Sequence, residues 1–511
     1  MYLLNQSVNW LLKQRLTRLQ HSIDNPIEVQ ETLLQQLLQK AKHTQYGKKF
    51  DYSTIYTTKD FRDRVPLCTY EQLYPYIEQI LQGTSNVLWP TPIKWFAKSS
   101  GTTNDRSKFI PVSTEALKEG HYKAGKDMFA IYIANYPQTE LSQGKSLAIA
   151  GSLYTNNFCP GSDTKYGDVS AVIMQNLPIW AKWISTPNLE TILLENWEEK
   201  LEKLAQITSH ENITLISGIP TWIYLLLNKI LANKQTINIK QVWPKLELFI
   251  HGGVSFAPYR DLFKSILPPD MHYMEVYNAS EGFFAIQNQP RIPDLLLLLD
   301  HGIYYEFIPI EELDQPAPQV VDLADVQVGK IYSLVISTNA GLWRYQIGDT
   351  IKFTSLWPHK IKIVGRTKHF INTFGEELVI DNAEMAIAKA STLTGATISN
   401  YTAGPDYLVP GRQGKHEWLV EFIQPPRDLA AFTDILDRNL QELNSDYEAK
   451  RYKNLMLEAP TVTSVPQGVF YAWMKKNNKL GDQNKVPRLF NSRKYLDDIH
   501  QLLQTNNYQT S

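Results

Sequence analysis

ENITLISGIPTWIYLLLNKILANK (residues 211–234), LELFIHGG (246–253) and MHYMEVYNASEG (271–282) decide the fold. Each contains a short run of apolar and β-branched residues, and single amphipathic segments separate the runs: WIYLLLNKILANK after the first, YRDLFKSIL (259–267) after the second. Strands spaced by one helix each are parallel, because the crossover must travel back along the sheet before the next strand begins. Upstream, LETILLENWEEKLEKLAQI (189–207) reads as one more helix. The stretch therefore predicts an α/β fold with helices on both faces of a sheet. Its punctuation, Ser217-Gly218, Gly252-Gly253 and the NASEG segment after Tyr277, falls at the carboxyl ends of the strands, where open α/β sheets bind ligands. One such turn is ordinary loop chemistry; three at one edge predict a cleft.

Outward from this centre, the leucine run 295–299 reads as a buried strand, too short for a bilayer and flanked by Asp294 and Asp300. IYYEFIPIEE (303–312), KIYSLVIS (330–337), GLWRYQIGDTIKF (341–353) and KIKIVGR (360–366) alternate like antiparallel strands. The character changes near Arg366, which divides the chain into a large N-terminal domain, 1–366, with mixed and parallel sheets, and a smaller α+β domain, 367–511. The latter is predicted to hold a helix near AEMAIAKA (383–390), strands near TISNYTA (397–403), EWLVEFI (417–423) and GVFYAW (468–473), and one long helix from Asp428 to Arg451. Toward the N-terminus, the first 85 residues read as helical up to the turn at Gly83. A polar loop between NVLWPTPIKWFAK (86–98) and KFIPVS (108–113) is followed by a helix through Tyr132, capped by Ser113 or Thr114.

The 511 residues carry 52 acidic and 51 basic side chains, so no global field favours nucleic acid or an anionic membrane. Two distant cysteines, Cys68 and Cys159, exclude a disulfide framework and point to the cytosol. The segment MYLLNQSVNWLLKQRLTRLQ (1–20) has the rhythm of an amphipathic helix docked on the protein's own surface and is too interrupted for a membrane span.

Four polar constellations could carry chemistry. SSGTTNDRSK (99–108) gathers the hydroxyls of Ser99, Ser100, Thr102 and Thr103 around Gly101 and ends in Lys108, a set of donors and charge suited to a polyphosphate. It is not a Walker A loop, since Lys108 leads into FIP, a strand sequence, and a hydroxyl-rich turn between two strands is expected. YNASEG (277–282) places Tyr277 or a neighbouring backbone group where it could face a purine, Ser280 where it could reach a phosphate, and Glu281 where it could hold Mg²⁺ through oxygen. RYQIGD (344–349) ends in Asp349, after a glycine turn, and a carboxylate can accept both hydroxyls of a ribose. In GDQNKVPRLF (481–490), Lys485 lies in a polar loop able to carry a cation into a site. Each has a plainer reading: a polar hairpin, a surface glutamate, a turn acid, a solvated lysine. Ile219, Trp222 and Val254 read equally as the apolar wall of a ligand pocket and as core.

Taken in order, SSGTTNDRSKFIPVS, SGIPTW (217–222), HGGV (251–254), YNASEG, YYEFIP (304–309), GLWRYQIGD, IVGRTKHFINTFGEEL (363–378) and KVPR (485–488) resemble the adenylate-forming enzymes. The resemblance is to the auxin-responsive (Gretchen Hagen) family of acyl acid amido synthetases, and it runs from about residue 95 almost to the end. It implies a mobile C-terminal domain, ATP and Mg²⁺ as cofactors, and a carboxylic acid and an amino acid as substrates. It also implies phosphate contacts from Ser99, Ser100, Gly101, Thr102 and Thr103, nucleotide and Mg²⁺ contacts from Tyr277, Ala279, Ser280 and Glu281, a ribose contact from Asp349, Lys485 as the C-terminal catalytic lysine, and Lys368 at the hinge. Two departures stand out: Asn104 and Asp105 occupy the place of the usual second glycine, with Lys108 one residue further along, and the hinge residue is commonly an acid.

Such an enzyme joins two anions, an acid and an α-phosphate, so its work is positioning and charge neutralisation. No Ser/His/Asp set or cysteine nucleophile is required. An acyl-CoA ligase, sharing the first half-reaction, and a nucleotide-binding regulator without turnover are the alternatives.

Overall fold

The computed structural model describes residues 14–99, 108–254, 256, 259–313, 315–366, 370–409, 412–454, 456–477 and 486–504. An eleven-stranded sheet organises the larger, N-terminal part. From edge to edge its strands are Ile303–Pro309, Ile331–Thr338, Tyr345–Leu356, His359–Arg366, Leu295–Leu297, Gly282–Gln287, His272–Ala279, Leu248–His251, Ile213–Gly218, Lys145–Ala148 and Ser185–Thr186. The last five pair in parallel and the first seven antiparallel, as the two rhythms of the sequence predict. Helices Pro220–Lys234 and Arg260–Ile266 form the expected crossovers.

A second sheet of four strands holds the hairpin Trp95–Ser99 and Lys108–Val112, in antiparallel register with Ser99 opposite Lys108. The helix that follows is capped by Ser113, whose Oγ accepts from the Ala116 N–H at 2.9 Å. Its first turns, Ala116–His121, are π-helical, and it continues as Tyr122–Asn135. Residues 14–24 are helical, and Arg15 clamps this helix down with two hydrogen bonds, 2.7 and 2.6 Å, to the buried Asp127 carboxylate. Asp127 also bonds His301 Nε2 at 2.9 Å. Residues 1–13 lie outside the described residues.

The smaller C-terminal part is α+β, with a three-stranded sheet of Thr397–Asp406, Lys415–Gln424 and Thr461–Val465. Its helix Ile380–Thr394 packs on Leu429–Leu443. One hydrophobic cluster joins both parts: Leu147, Phe249 and Val254 share it with Phe374, Trp418 and Leu489.

Three expectations are corrected. The predicted helix 189–207 is two, Leu189–Ile192 and Trp197–Thr208, because Asn196 turns out of the helix and accepts from the Glu199 N–H at 2.9 Å. Likewise the predicted helix Asp428–Arg451 breaks at Asn444, in extended conformation, which caps Ser445–Arg451 by accepting from the Tyr447 N–H at 2.8 Å. The segment GVFYAW is not a strand but the start of helix Val469–Lys476. Gly468 at φ 87° opens it, and the Glu421 carboxylate accepts from the Gly468 and Phe470 N–H groups at 3.1 and 3.4 Å. A carboxylate supplied from a neighbouring strand satisfies the helix end where the local sequence offers no cap.

Candidate active site

At the carboxyl ends of the parallel strands opens a cavity of about 1350 Å³. Ser217, Gly218, Gly252, Gly253 and the segment Asn278 to Glu281 all line it, so the three punctuated turns do converge. Ala279 closes strand His272–Ala279, and Ser280-Glu281 form the tight turn to the antiparallel strand Gly282–Gln287.

Asp349 reaches the same cavity by a route the sequence did not suggest. It stands inside strand Tyr345–Leu356, not in a turn between strands. The register slips beside it: Ser333 opposes Thr350 while Val335 opposes Gln346, so the strand bulges across Ile347–Asp349 with Gly348 at φ 89°. A bulge of this kind re-aims a side chain. Here it delivers the buried Asp349 carboxylate to the Tyr277 hydroxyl, which donates to Oδ2. Residues 72 positions apart are thus joined by a hydrogen bond on one cavity wall.

Ser99 and Lys108 line the cavity where the hairpin meets it. Lys108 Nζ donates to the Tyr345 hydroxyl at 3.4 Å and lies 5.7 Å over the Tyr70 ring. Burial pushes the Tyr70 phenol well up, and Glu281 adds to the effect through its negative charge, which brings Glu281 and Lys108 to the same region. Ser100, Gly101, Thr102, Thr103, Lys368 and Lys485 lie outside the described residues. Ile219, Trp222 and Val254 also line the cavity, and Ile219 and Val254 pack at the same time into the core cluster that spans both parts of the chain.

Several cavity residues escaped the sequence reading. Lys200 and Lys450 are buried, and Asp168 is open to the cavity. Desolvation by the surrounding protein pushes the Asp168 carboxyl up even though its side chain opens onto the cavity, against the pull of Lys450, Lys200 and Lys98, and burial pushes the Lys200 ammonium down to about 8. His121 and His251 are held neutral by burial, down to about 4 and about 3. Lys200 carried a signal: it falls in a row with Leu204 and Thr208 on the buried face of its helix. Asp168 is disguised as the N-cap of Val169–Gln175, although its side chain makes no cap bond. Nothing in sequence announces Lys450.

Among the described residues no three His, Cys, Asp or Glu cluster as a metal site. A hard cation bound here would draw on one carboxylate and on phosphate oxygens, the usual condition of nucleotide-bound Mg²⁺. Glu281, Tyr277, Asp349 and Lys108 all line this cavity.

Solved structures share this architecture. An acyl acid amido synthetase crystallised with 2,4-DB, AtGH3.15, superposes with a TM-score of 0.60 at 19% identity, covering 96% of each chain. A 2-hydroxyisobutyryl-CoA ligase, in complex with 2-HIB-AMP and CoA, gives 0.57 at 14% identity over 94% of this chain and 93% of that one. The fold is the one these two ligases share. Within it, the GH3 family N-terminal domain matches residues 15–271, the GH3 family central domain 296–366 and the GH3 family C-terminal domain 381–494; the chain belongs to the GH3 family. Among its relatives are the indole-3-acetic acid-amido synthetase GH3.4 of Arabidopsis thaliana, 25% identical over 91% of this chain and 89% of that one, and the jasmonoyl--L-amino acid synthetase JAR4 of Nicotiana attenuata, 24% identical over 64% and 66%.

Proposed function

We propose that this chain is an ATP-dependent acyl acid amido synthetase. It condenses a carboxylic acid with ATP to an acyl-adenylate, releasing pyrophosphate, and passes the acyl group to the amine of an amino acid, releasing AMP. The observation that carries the reading is the convergence of Tyr277, Asp349, Ser280, Glu281, Ser99 and Lys108 on one cavity. The activities named for its relatives support it.

Asp349, oriented by Tyr277, holds the ribose hydroxyls, while Tyr277 and Ala279 flank the adenine. The hairpin from Ser99 through Ser100, Gly101, Thr102 and Thr103 to Lys108, together with Ser280, cradles the phosphates. Glu281 would hold Mg²⁺, which lowers the negative charge that two meeting anions must overcome. Ile219, Trp222 and Val254 form the apolar wall against which the organic substrates rest. Residues 367–511 act as a mobile domain hinged near Arg366 to Lys368, bringing Lys485 to the phosphates for the first half-reaction and withdrawing it for the second. No helix among the described residues is long and apolar enough to cross a membrane; we place the reaction in the cytoplasm.

Acid-dependent exchange of labelled pyrophosphate into ATP, run across a panel of aromatic, indole-type, jasmonate-like and fatty acids, tests the first half. Product analysis with amino acids and with coenzyme A tests the second. ATP binding without exchange for any acid refutes the reading in favour of a regulator, and thioester without amide refutes it in favour of a CoA ligase.

A further inference from the structure

Apart from the catalytic cavity, a second one of about 470 Å³ opens between helix Pro26–Ala41, the π-helical turn Ala116–His121 and the turns that hold Gly302 and Asn339. Its volume lies in the range of small-molecule sites, about 300–1,000 Å³. Asn339 lines it and is 7% exposed. The main chain anchors this residue: its N–H donates to the Gly302 carbonyl at 2.9 Å, and its carbonyl accepts from Ser113 Oγ at 2.7 Å. Gly302, at φ 77°, leaves room for the side chain, since a Cβ there would lie 2.1 Å from Asn339 Nδ2. The side-chain amide itself has no hydrogen-bond partner among the described residues.

The fold gains nothing from such a group. A buried amide that gives up its hydration without a bond in return costs stability, and leucine, close to it in size, would not. A polar side chain kept there serves what occupies the cavity.

The charged lining says what that is. Lys40 pairs with Glu115, and Lys123 pairs with Asp300 at 2.7 Å, so both lysines are engaged. Glu28 and Glu119 line the same cavity and form no ion pair among the described residues. The unused capacity is two carboxylates and an amide oxygen, all of them acceptors. A phosphate or carboxylate ligand would meet two free negative charges and no free cation. A bare metal ion would find no group of three His, Cys, Asp or Glu among the described residues. Val29, Leu33 and Leu37 add an apolar strip along helix Pro26–Ala41. Ammonium groups joined by methylenes match both features, the charge meeting the acids and the alkyl stem lying on the strip.

We infer that this cavity is a second ligand site and that it takes an aliphatic polyamine, with ammonium groups at Glu28 and Glu119 and one N–H donated to Asn339 Oδ1. None of the residues proposed for adenylation takes part, so the site stands or falls apart from the synthetase reading. Glu119 and Lys123 face it from the π-helical turn and the helix after it, whose Gly125, Met128 and Phe129 line the large cavity.

Isothermal titration of the full chain with spermidine and with putrescine at physiological ionic strength tests this. A single saturable site is expected. Glu119→Gln, which keeps the size and removes the charge, weakens spermidine binding about 10-fold or more, the loss of one charge-assisted hydrogen bond. Asn339→Leu weakens it by a similar factor while the urea midpoint stays level or rises; an amide that served the fold would lower the midpoint on removal. Absence of saturable binding of either amine, the result for a cavity that holds only water, overturns the assignment. So does binding that either variant leaves unchanged, the mark of diffuse attraction to an acidic surface, and so does a lowered midpoint in Asn339→Leu.

Discussion

Replacing Asp349 by alanine tests the nucleotide assignment at its narrowest point. The carboxylate offers about four acceptor positions. One of them, on Oδ2, is taken by the Tyr277 hydroxyl. A ribose bound here would give the carboxylate one or two hydroxyl donors, and each hydrogen bond to a charged group is worth about 1.5–3 kcal/mol. A loss of about 2–4 kcal/mol corresponds to an ATP dissociation constant roughly 30- to 1000-fold higher, at about tenfold per 1.4 kcal/mol. The same change removes an acceptor from the buried Tyr277 hydroxyl and costs about 1–2 kcal/mol of stability, which thermal unfolding without nucleotide reads separately. Asp349→Asn keeps an acceptor oxygen but not the charge, so its loss is about half as large in free energy. Isothermal titration with ATP is the assay. A folded Asp349→Ala protein that binds ATP within twofold of wild type would refute the ribose role and, with it, the purpose of the bulge that aims Asp349.

Glu306 and Arg344 form an ion pair at 2.9 Å with side chains 1% and 5% exposed, and Arg344 also donates to the Arg62 and Val65 carbonyls. Glu306→Gln leaves a buried guanidinium without its counter-charge and is expected to lower unfolding free energy by about 3–5 kcal/mol; an unchanged urea midpoint contradicts this. His121 and His251 are neutral in the fold below their ordinary value of 6.5, so between pH 6.5 and about 4 the unfolded chain binds more protons. Their contribution is therefore full above pH 6.5 and is lost as the pH falls, on the order of 3 kcal/mol from His121 and 5 kcal/mol from His251. His251→Phe should flatten part of that slope in melting temperatures, and an identical slope sinks the assignment. Asn444→Ala removes the cap of the helix that carries Lys450 and should cost about 1 kcal/mol, measurable by chemical denaturation. Gly151→Ala must displace the Asp168 carboxylate, since a Cβ there would lie 1.4 Å from Oδ2, and should cost about 1–3 kcal/mol of stability; an unchanged urea midpoint would contradict this.

What was legible in the sequence was local. Ile213–Gly218, Leu248–His251 and His272–Ala279 could be read as parallel strands because one helix separates each from the next. The strand pair around the hydroxyl-rich loop announced itself through FIP after Lys108. Helices that end on their own caps in mid-pattern, at Asn196 and Asn444, were read through, since hydrophobic periodicity continues across a break. GVFYAW misled because its helix is nucleated by Glu421, on a different strand, and by the left-handed Gly468. Of the candidate site, residues with motif-like neighbours were found. Asp168 and Lys450 acquire meaning only through each other, and no window of sequence contains both.

The clamp of Arg15 on Asp127 gives the outermost helix a say in what happens inside. Asp127 belongs to the same helix whose other side presents Gly125, Met128 and Phe129 to the cavity. Fraying of residues 14–24 would free that helix to shift, slackening the cavity from behind without disturbing a single group that faces the substrates. Mild heating should thus blunt affinity for the acid before the sheet itself gives way, as a door binds or swings loose with its frame while the lock stays intact.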